Sequence, residues 1–136
     1  MKLNPYLTFA GTCEEAFKAY EKIFGGEIMA MLSFGDMPID AKVPAEWRKK
    51  IAHARLVLDG AILMGSDASP EHRKPMQGFS VTLNIKEPAE AERVFNALAK
   101  GGTTTMPLAE TFWANKFGTV TDRFGTPWMI NCEKDI

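Results

Sequence analysis

Cys13-Glu14-Glu15-Ala16-Phe17-Lys18-Ala19-Tyr20-Glu21-Lys22-Ile23-Phe24-Gly25-Gly26 decides the fold, because its closing glycine doublet returns in the second half of the chain as Gly101-Gly102. Within it Ala16, Phe17, Tyr20, Ile23 and Phe24 fall at the i, i+3, i+4, i+7 spacing of a helix lying on a core, and the glycines end that helix. Ahead of the second doublet, Ala91, Val94, Phe95 and Leu98 make the same stripe. A short strand candidate precedes each helix, at residues 6–10 and 79–85, and further β-prone runs separated by turn signals follow each. The chain therefore reads as one β-α-β-β-β unit written twice. Only two long copies are present, which argues against a solenoid and for one α+β domain of two βαβββ modules with pseudo-twofold symmetry and a cleft. Module one is expected over about residues 3–68, a Pro- and charge-rich linker over 69–77, and module two over about 78–134.

Size and composition narrow the classes of function. With 136 residues the chain can bury a core without metal or disulfide staples. Cys13 and Cys132 are too few for a disulfide scaffold, and the first residues lack the basic and then apolar run of a secretory leader. No apolar run approaches the roughly 20 residues that span a bilayer. Sixteen basic residues against 17 acidic ones give a formal net charge of -1, with no electrostatic footprint for nucleic acid, and Arg48-Lys49-Lys50 reads as a solvated loop. The expectation is a reduced, cytoplasmic protein whose partner is a small molecule or a second copy of itself, and neither nucleic acid nor a membrane.

After the first helix comes a strand at 27–34, then a long irregular segment from Gly35 to Lys50 that includes Trp47. Connections longer than about 12 to 15 residues are often lids, dimer arms or binding loops. Asp59-Gly60 between two apolar runs predicts a two-residue hairpin, since both turn positions favour positive φ. With Leu58 opposite Ala61, Arg55 falls opposite Met64 and His53 opposite Ser66. One face then carries His53, Arg55, Val57, Ile62, Met64 and Ser66, and the other Ala54, Leu56, Leu58, Ala61, Leu63 and Gly65. The second set is apolar or small and belongs under the helix, so the mixed face looks into the cleft, with the pattern of a small-molecule site. In the second half the strands are expected at 103–108, 112–121 and 127–132, with a turn at Asp122-Arg123-Phe124-Gly125.

His53 is the candidate for proton chemistry, against a structural role bonded to Ser66 across the hairpin. Arg55 is suited to an anionic head group, or to pairing with an acidic neighbour. Asp67 reads as a cap or turn former and Asp122 as a turn former. Alternation puts Trp113, Asn115 and Phe117 on one face, with Trp113 and Phe117 as candidate cavity residues; Trp128 and Ile130 belong to the core, and Met129 and Asn131 to the face opposite them. Seven methionines from Met29 to Met129 suit an adaptable apolar pocket or fill core gaps. Cys13 lies at a helix start but has no basic neighbour to activate it. No glycine-rich nucleotide loop or phosphate-binding Gly-Lys-Ser occurs, so no cofactor is expected.

The doubled unit, taken with Pro5-Tyr6-Leu7-Thr8-Phe9-Ala10-Gly11, Ser33-Phe34-Gly35-Asp36-Met37-Pro38, Ile51-Ala52-His53-Ala54, Leu63-Met64-Gly65-Ser66-Asp67, Glu110-Thr111-Phe112-Trp113-Ala114 and the run from Asp122 to Asn131, resembles the vicinal oxygen chelate superfamily of glyoxalases, bleomycin-resistance proteins and extradiol dioxygenases. More narrowly it resembles the PhnB-like branch, whose members are often labelled 3-demethylubiquinone-9 3-methyltransferase-like. The resemblance covers nearly the whole chain and implies paired βαβββ modules, a U-shaped cavity and a homodimer. Catalytic members hold a metal with His, Glu or Gln side chains, and their pattern laid on this chain gives Pro5, Met64, Phe79 and Met129. Proline and phenylalanine offer no donor and a thioether is too soft for such a site, so no metal is expected.

Three functions are then open. The first is a metal-free protein binding a small, largely apolar molecule in the cleft between the modules, with Arg55, Met64, Ser66, Trp113, Phe117, Met129 and Asn131 as its contacts. The second is a metal-independent acid-base enzyme, a lyase, isomerase or methyltransferase-like protein, using His53. The third is a dimeric partner-binding module acting through the long loop.

Overall fold

The computed structural model describes residues 1–37, 44–69 and 71–134, so residues 38–43 of the expected long loop and Pro70 of the linker lie outside the described residues. The chain divides into two compact units, Met1–Lys74 and Pro75–Ile136. The first contains β1 (Tyr6–Phe9), α1 (Cys13–Phe24), β2 (Glu27–Ser33), β3 (Ile51–Leu58) and β4 (Ala61–Asp67). The second contains β5 (Val81–Asn84), α2 (Pro88–Ala99), β6 (Thr103–Ala109), β7 (Ala114–Thr121) and β8 (Pro127–Glu133). Each unit has one four-stranded sheet, in the orders β1-β4-β3-β2 and β5-β8-β7-β6. The two orders are the same topology, with the first strand parallel to the last and the others antiparallel. The reading of two βαβββ modules is thus the observed α+β architecture.

Each sheet packs one face under its helix. Cys13, Ala16, Phe17 and Tyr20 of α1 are buried, as are Ala91, Val94, Phe95 and Leu98 of α2. Facing α1 are Leu7, Phe9, Ala54 and Leu56, and facing α2 are Val120, Trp128, Ile130 and Cys132, all buried. Removing one such large apolar side chain from water stabilises the fold by about 1.5–3 kcal/mol. Each helix comes close to its own sheet because a glycine of that sheet lies beneath an aromatic ring of the helix. A Cβ on Gly65 would stand 2.9 Å from Phe17 Cε1, and one on Gly118 2.8 Å from Phe95 Cε2.

The glycine doublets have a two-part cause. Gly25 (φ 80°) and Gly101 (φ 76°) adopt the left-handed conformation that follows a helix end, where glycine carries no Cβ penalty. At the second position there is no room for a side chain: a Cβ on Gly26 would meet the Val57 carbonyl oxygen at 2.6 Å, and one on Gly102 the Thr121 carbonyl oxygen at 2.3 Å. The helix reverses at the first glycine and leans on the neighbouring strand at the second. Asp59 (φ 47°) and Gly60 (φ 82°) both have positive φ, and Leu58 pairs with Ala61 and Arg55 with Met64 as the hairpin reading requires.

Several boundaries differ from the sequence reading. The strand expected over 27–34 stops at Ser33, because Ser33 and Asp36 form a capping box that turns Phe34–Asp36 into a short 3-10 helix. A second 3-10 turn occupies Ala45–Trp47. The strand expected over 79–85 is only Val81–Asn84. The strand expected to begin at Phe112 begins at Ala114, since the Thr111 N–H donates to the Ala114 carbonyl and the Ala114 N–H to Thr111 Oγ1, closing a turn around Phe112 and Trp113. Asn115 sits in the register shift between Ala114 and Lys116, which breaks the simple alternation of Trp113, Asn115 and Phe117. Among the described residues no helix is long and apolar enough to cross a membrane.

Candidate functional site

In module one the sheet face turned away from α1 gathers the mixed residues. Leu7 and Phe9 of β1 point to the helix, so Tyr6 and Thr8 take the outer face, and Tyr6 is 48 % exposed. Tyr6 pairs with Met64 and Met64 with Arg55, which sets three strands side by side. Across β4 the Tyr6 and His53 rings stack with centroids 6.0 Å apart at 27°. His53, Met64 and Ser66 are half-buried and Arg55 is exposed. The structural alternative for His53, a hydrogen bond to Ser66, is not made among the described residues; the imidazole packs against tyrosine instead. Arg55 likewise forms no ion pair among the described residues. The face therefore offers a phenol, an imidazole, a thioether and a free guanidinium, a combination suited to a flat or apolar body with an anionic group.

Asp67 is structural. It is 3 % exposed, and Oδ1 accepts the N–H of Gly11 at 3.0 Å and of Cys13 at 2.9 Å while Oδ2 accepts the N–H of Ile51 at 2.9 Å. The carboxylate thus caps α1 and pins the start of β3 to the end of β4. Beside it, Lys50 Nζ donates to the Gly11 carbonyl oxygen at 2.9 Å. Burial, with the neighbouring Asp67 and Glu14 charges adding to it, pushes the Cys13 thiol well above its ordinary range, so Cys13 is an inert core thiol. Asp122 is the turn former it was expected to be, accepting the N–H of Phe124 at 2.8 Å, of Thr126 at 3.0 Å and the Trp128 indole N–H at 2.8 Å.

In module two the outer face differs in kind. Trp113 contacts Phe117 edge-on at 5.3 Å and Phe112 at 4.8 Å, making an aromatic cluster at the start of β7. Met129 pairs with Thr119 and Asn131 with Phe117, so both lie on the outer face as expected. Thr105 and Thr119 hydroxyls meet at 2.6 Å, and Asn131 Nδ2 donates to Asn84 Oδ1 at 3.0 Å. A depression of about 650 Å³ opens beside Asn84 and Asn131 where α2 begins.

Sequence reasoning missed Tyr6 as a site residue, and Asn84 and Lys86 beside the depression. Tyr6 becomes visible only once β1 is placed beside β4, since it then shares a face with Met64. The strand registers also correct the placement of the superfamily's metal positions. The Tyr6–Met64 pair corresponds to Thr82–Met129, so the counterpart of Pro5 is Val81 and not Phe79, which lies before β5. Neither set suits a hard divalent ion, for want of carboxylate or imidazole donors. Among the described residues no group of three or more His, Cys, Asp or Glu side chains gathers in a way that could hold a metal.

Comparison with known proteins agrees with this architecture. The family model for 3-demethylubiquinone-9 3-methyltransferase matches residues 1–131. The Escherichia coli (strain K12) protein YjdN is 42% identical over 142 residues, covering 98% of this chain and 97% of that one. The crystal structure of protein PA1353 from Pseudomonas aeruginosa is 51% identical, with a TM-score of 0.89 and coverage of 99% of both chains. A Bacillus cereus PhnB protein, described as a putative 3-demethylubiquinone-9 3-methyltransferase, is 26% identical with a TM-score of 0.81, covering 97% of this chain and 99% of that one. A glyoxylase/bleomycin resistance protein/dioxygenase domain from Frankia sp. EAN1pec, at 14% identity, TM-score 0.64 and coverage of 95% and 94%, shares the fold. With its doubled βαβββ topology, the fold it shares with a glyoxylase/bleomycin resistance protein/dioxygenase domain, and a match that runs almost from end to end, the chain belongs to the PhnB-like, 3-demethylubiquinone-9 3-methyltransferase family.

Proposed function

We propose that this protein binds a small, largely apolar molecule bearing an anionic group, without a metal, on the outer face of module one. The observation that carries this reading is the exposed Tyr6 ring stacked on His53 across Met64, with Arg55 on the same face and in no ion pair among the described residues. An apolar floor with few polar groups is the ordinary make-up of a small-molecule site. Ser66 supplies a hydroxyl beside that floor, and on module two the corresponding face offers Trp113, Phe117, Met129 and Asn131. The methyl-transfer activity in the family's description does not enter this reading, because no nucleotide-binding glycine loop accompanies it. We propose further that the protein is a cytoplasmic homodimer.

Native mass spectrometry of the untagged protein as purified tests this directly. A dimer carrying an organic adduct and no metal supports the reading, and one divalent ion per subunit overturns it. A second reading, metal-independent acid-base catalysis by His53, is favoured by the absence of any hydrogen bond to Ser66 that would commit the imidazole. His53→Gln separates the two. A binder changes its affinity for the co-purified compound by about one hydrogen bond, ~1 kcal/mol, whereas a general base loses about 100-fold or more in rate with binding retained. The partner-binding reading of the 35–50 segment rests largely on residues 38–43, outside the described residues.

A further inference from the structure

We propose that module two carries a site for a small zwitterion of the α-amino-acid class, in the depression where α2 begins. Three observations meet there. The first is a buried acceptor with nothing to accept. Asn131 is only 9 % exposed and lines the depression; its Nδ2 is used by Asn84, while its Oδ1 has no hydrogen-bond partner among the described residues. Buried polar atoms are almost always paired, so an unmatched one points to a missing donor.

The second observation is a difference between the two modules. In module one the start of α1 is closed from within by the Asp67 carboxylate and by Lys50 on the Gly11 carbonyl. In module two Cys132 faces α2 at the end of β8, and its Sγ donates to the Lys86 carbonyl oxygen at 3.4 Å, a weak bond that brings no charge to the helix. The α2 N-terminus has no side-chain cap hydrogen bond, and Pro88 stands at its first position. At the position of the Asp67 carboxylate module two has only the Cys132 thiol, and the 650 Å³ depression opens alongside, lined by Lys86, Glu87 and Pro88 at the start of α2.

The third observation is the charge pattern of the lining, which selects the ligand class. Lys86 and Lys134 supply positive charge, joined by the positive end of α2, while Glu87 and Glu133 supply negative charge. Lys134 already meets Glu110 at 3.1 Å, which leaves it further donor capacity. A simple anion there faces two carboxylates, and a simple cation faces two ammonium groups and a helix N-terminus. A zwitterion answers both: its carboxylate lies toward Lys86 and the start of α2, and its ammonium donates to Asn131 Oδ1 beside Glu133. This site does not rest on the apolar reading of module one. Asn131 belongs to both readings, so the decisive variants are at Lys86 and Glu133, which only the zwitterion uses.

The test is an NMR titration of the full ¹⁵N-labelled chain with glycine, and separately with its two half-molecules, acetate and methylammonium. Glycine is expected to shift the Asn84 and Asn131 side-chain amide signals saturably, with acetate and methylammonium each at least about tenfold weaker. The surface substitutions Lys86→Ala and Glu133→Gln are each expected to weaken glycine by about tenfold. A response to acetate as strong as to glycine overturns the zwitterion. So does the lack of any saturable shift, which assigns Asn131 Oδ1 to bound water, and so does unchanged glycine affinity in both variants.

Discussion

Replacing Asp67 with alanine removes one carboxylate and strands three main-chain donors. The N–H groups of Cys13 and Ile51 are buried beside it, and that of Gly11 is partly buried. Each buried donor left without a partner costs about 1–3 kcal/mol. Gly11 can recover a water, so the two buried groups dominate and the total comes to ~4 kcal/mol, including the lost charge at the α1 N-terminus. For a chain of this length 1 kcal/mol corresponds to about 3–4 °C in Tm, giving a fall of more than about 10 °C. Urea unfolding followed by far-UV circular dichroism reads the free energy, and a thermal scan reads the midpoint. Asp67→Asn retains one oxygen acceptor and sets an amide donor against an N–H, so it should fall between alanine and the parent. An alanine variant within about 0.5 kcal/mol of the parent, the range of an ordinary surface substitution, would refute the assignment of Asp67 as the clamp of module one.

The other expectations concern packing, pH and the second buried aspartate. Gly102→Ala drives a Cβ to 2.3 Å from a backbone oxygen and should cost about 1–3 kcal/mol or more, whereas Gly25→Ala has open space around it and should cost about 1 kcal/mol for its positive φ; comparative urea melts check the order. The Cys13 thiol stays neutral in the folded chain above the pH at which it ionises when unfolded, ordinarily 9.0. Stability should therefore fall as pH rises through that value, less steeply in Cys13→Ala, and Cys13 should resist alkylation until the chain unfolds. Trp128→Phe removes the indole donor to Asp122 and should lower stability by about 1–3 kcal/mol in the same unfolding assay.

Much of the architecture was legible because its signals are local. The stripe of α1, the Asp59-Gly60 turn and the glycine doublets each act within a few residues, and each lies where the sequence put it. The misplaced strand starts have local causes that alternation does not carry: Phe112 and Trp113 are as β-prone as their neighbours, and the Thr111 side-chain bond decides where β7 begins. The site was less legible because its contacts are long-range. Tyr6 meets His53 only because β4 inserts between β1 and β3, and Asp67 reaches donors 54 and 56 residues away along the chain. Neither follows from periodicity. Asn131 and Asn84 were invisible as a pair for the same reason, since a parallel strand pairing brings them together.

The insertion of β4 between β1 and β3 also governs how the chain can fold as it leaves the ribosome. Until Ala61–Asp67 has emerged, β1 has no strand to pair with and α1 lacks its capping carboxylate, so the earlier residues can form only the helix and the β2–β3 pair. The sheet of the nascent unit can be completed only when its last strand arrives, and module two repeats that order with β8. A chain halted with β3 outside the ribosome and Ala61–Asp67 still inside its exit tunnel thus leaves an open sheet edge at β3, an edge prone to misassembly.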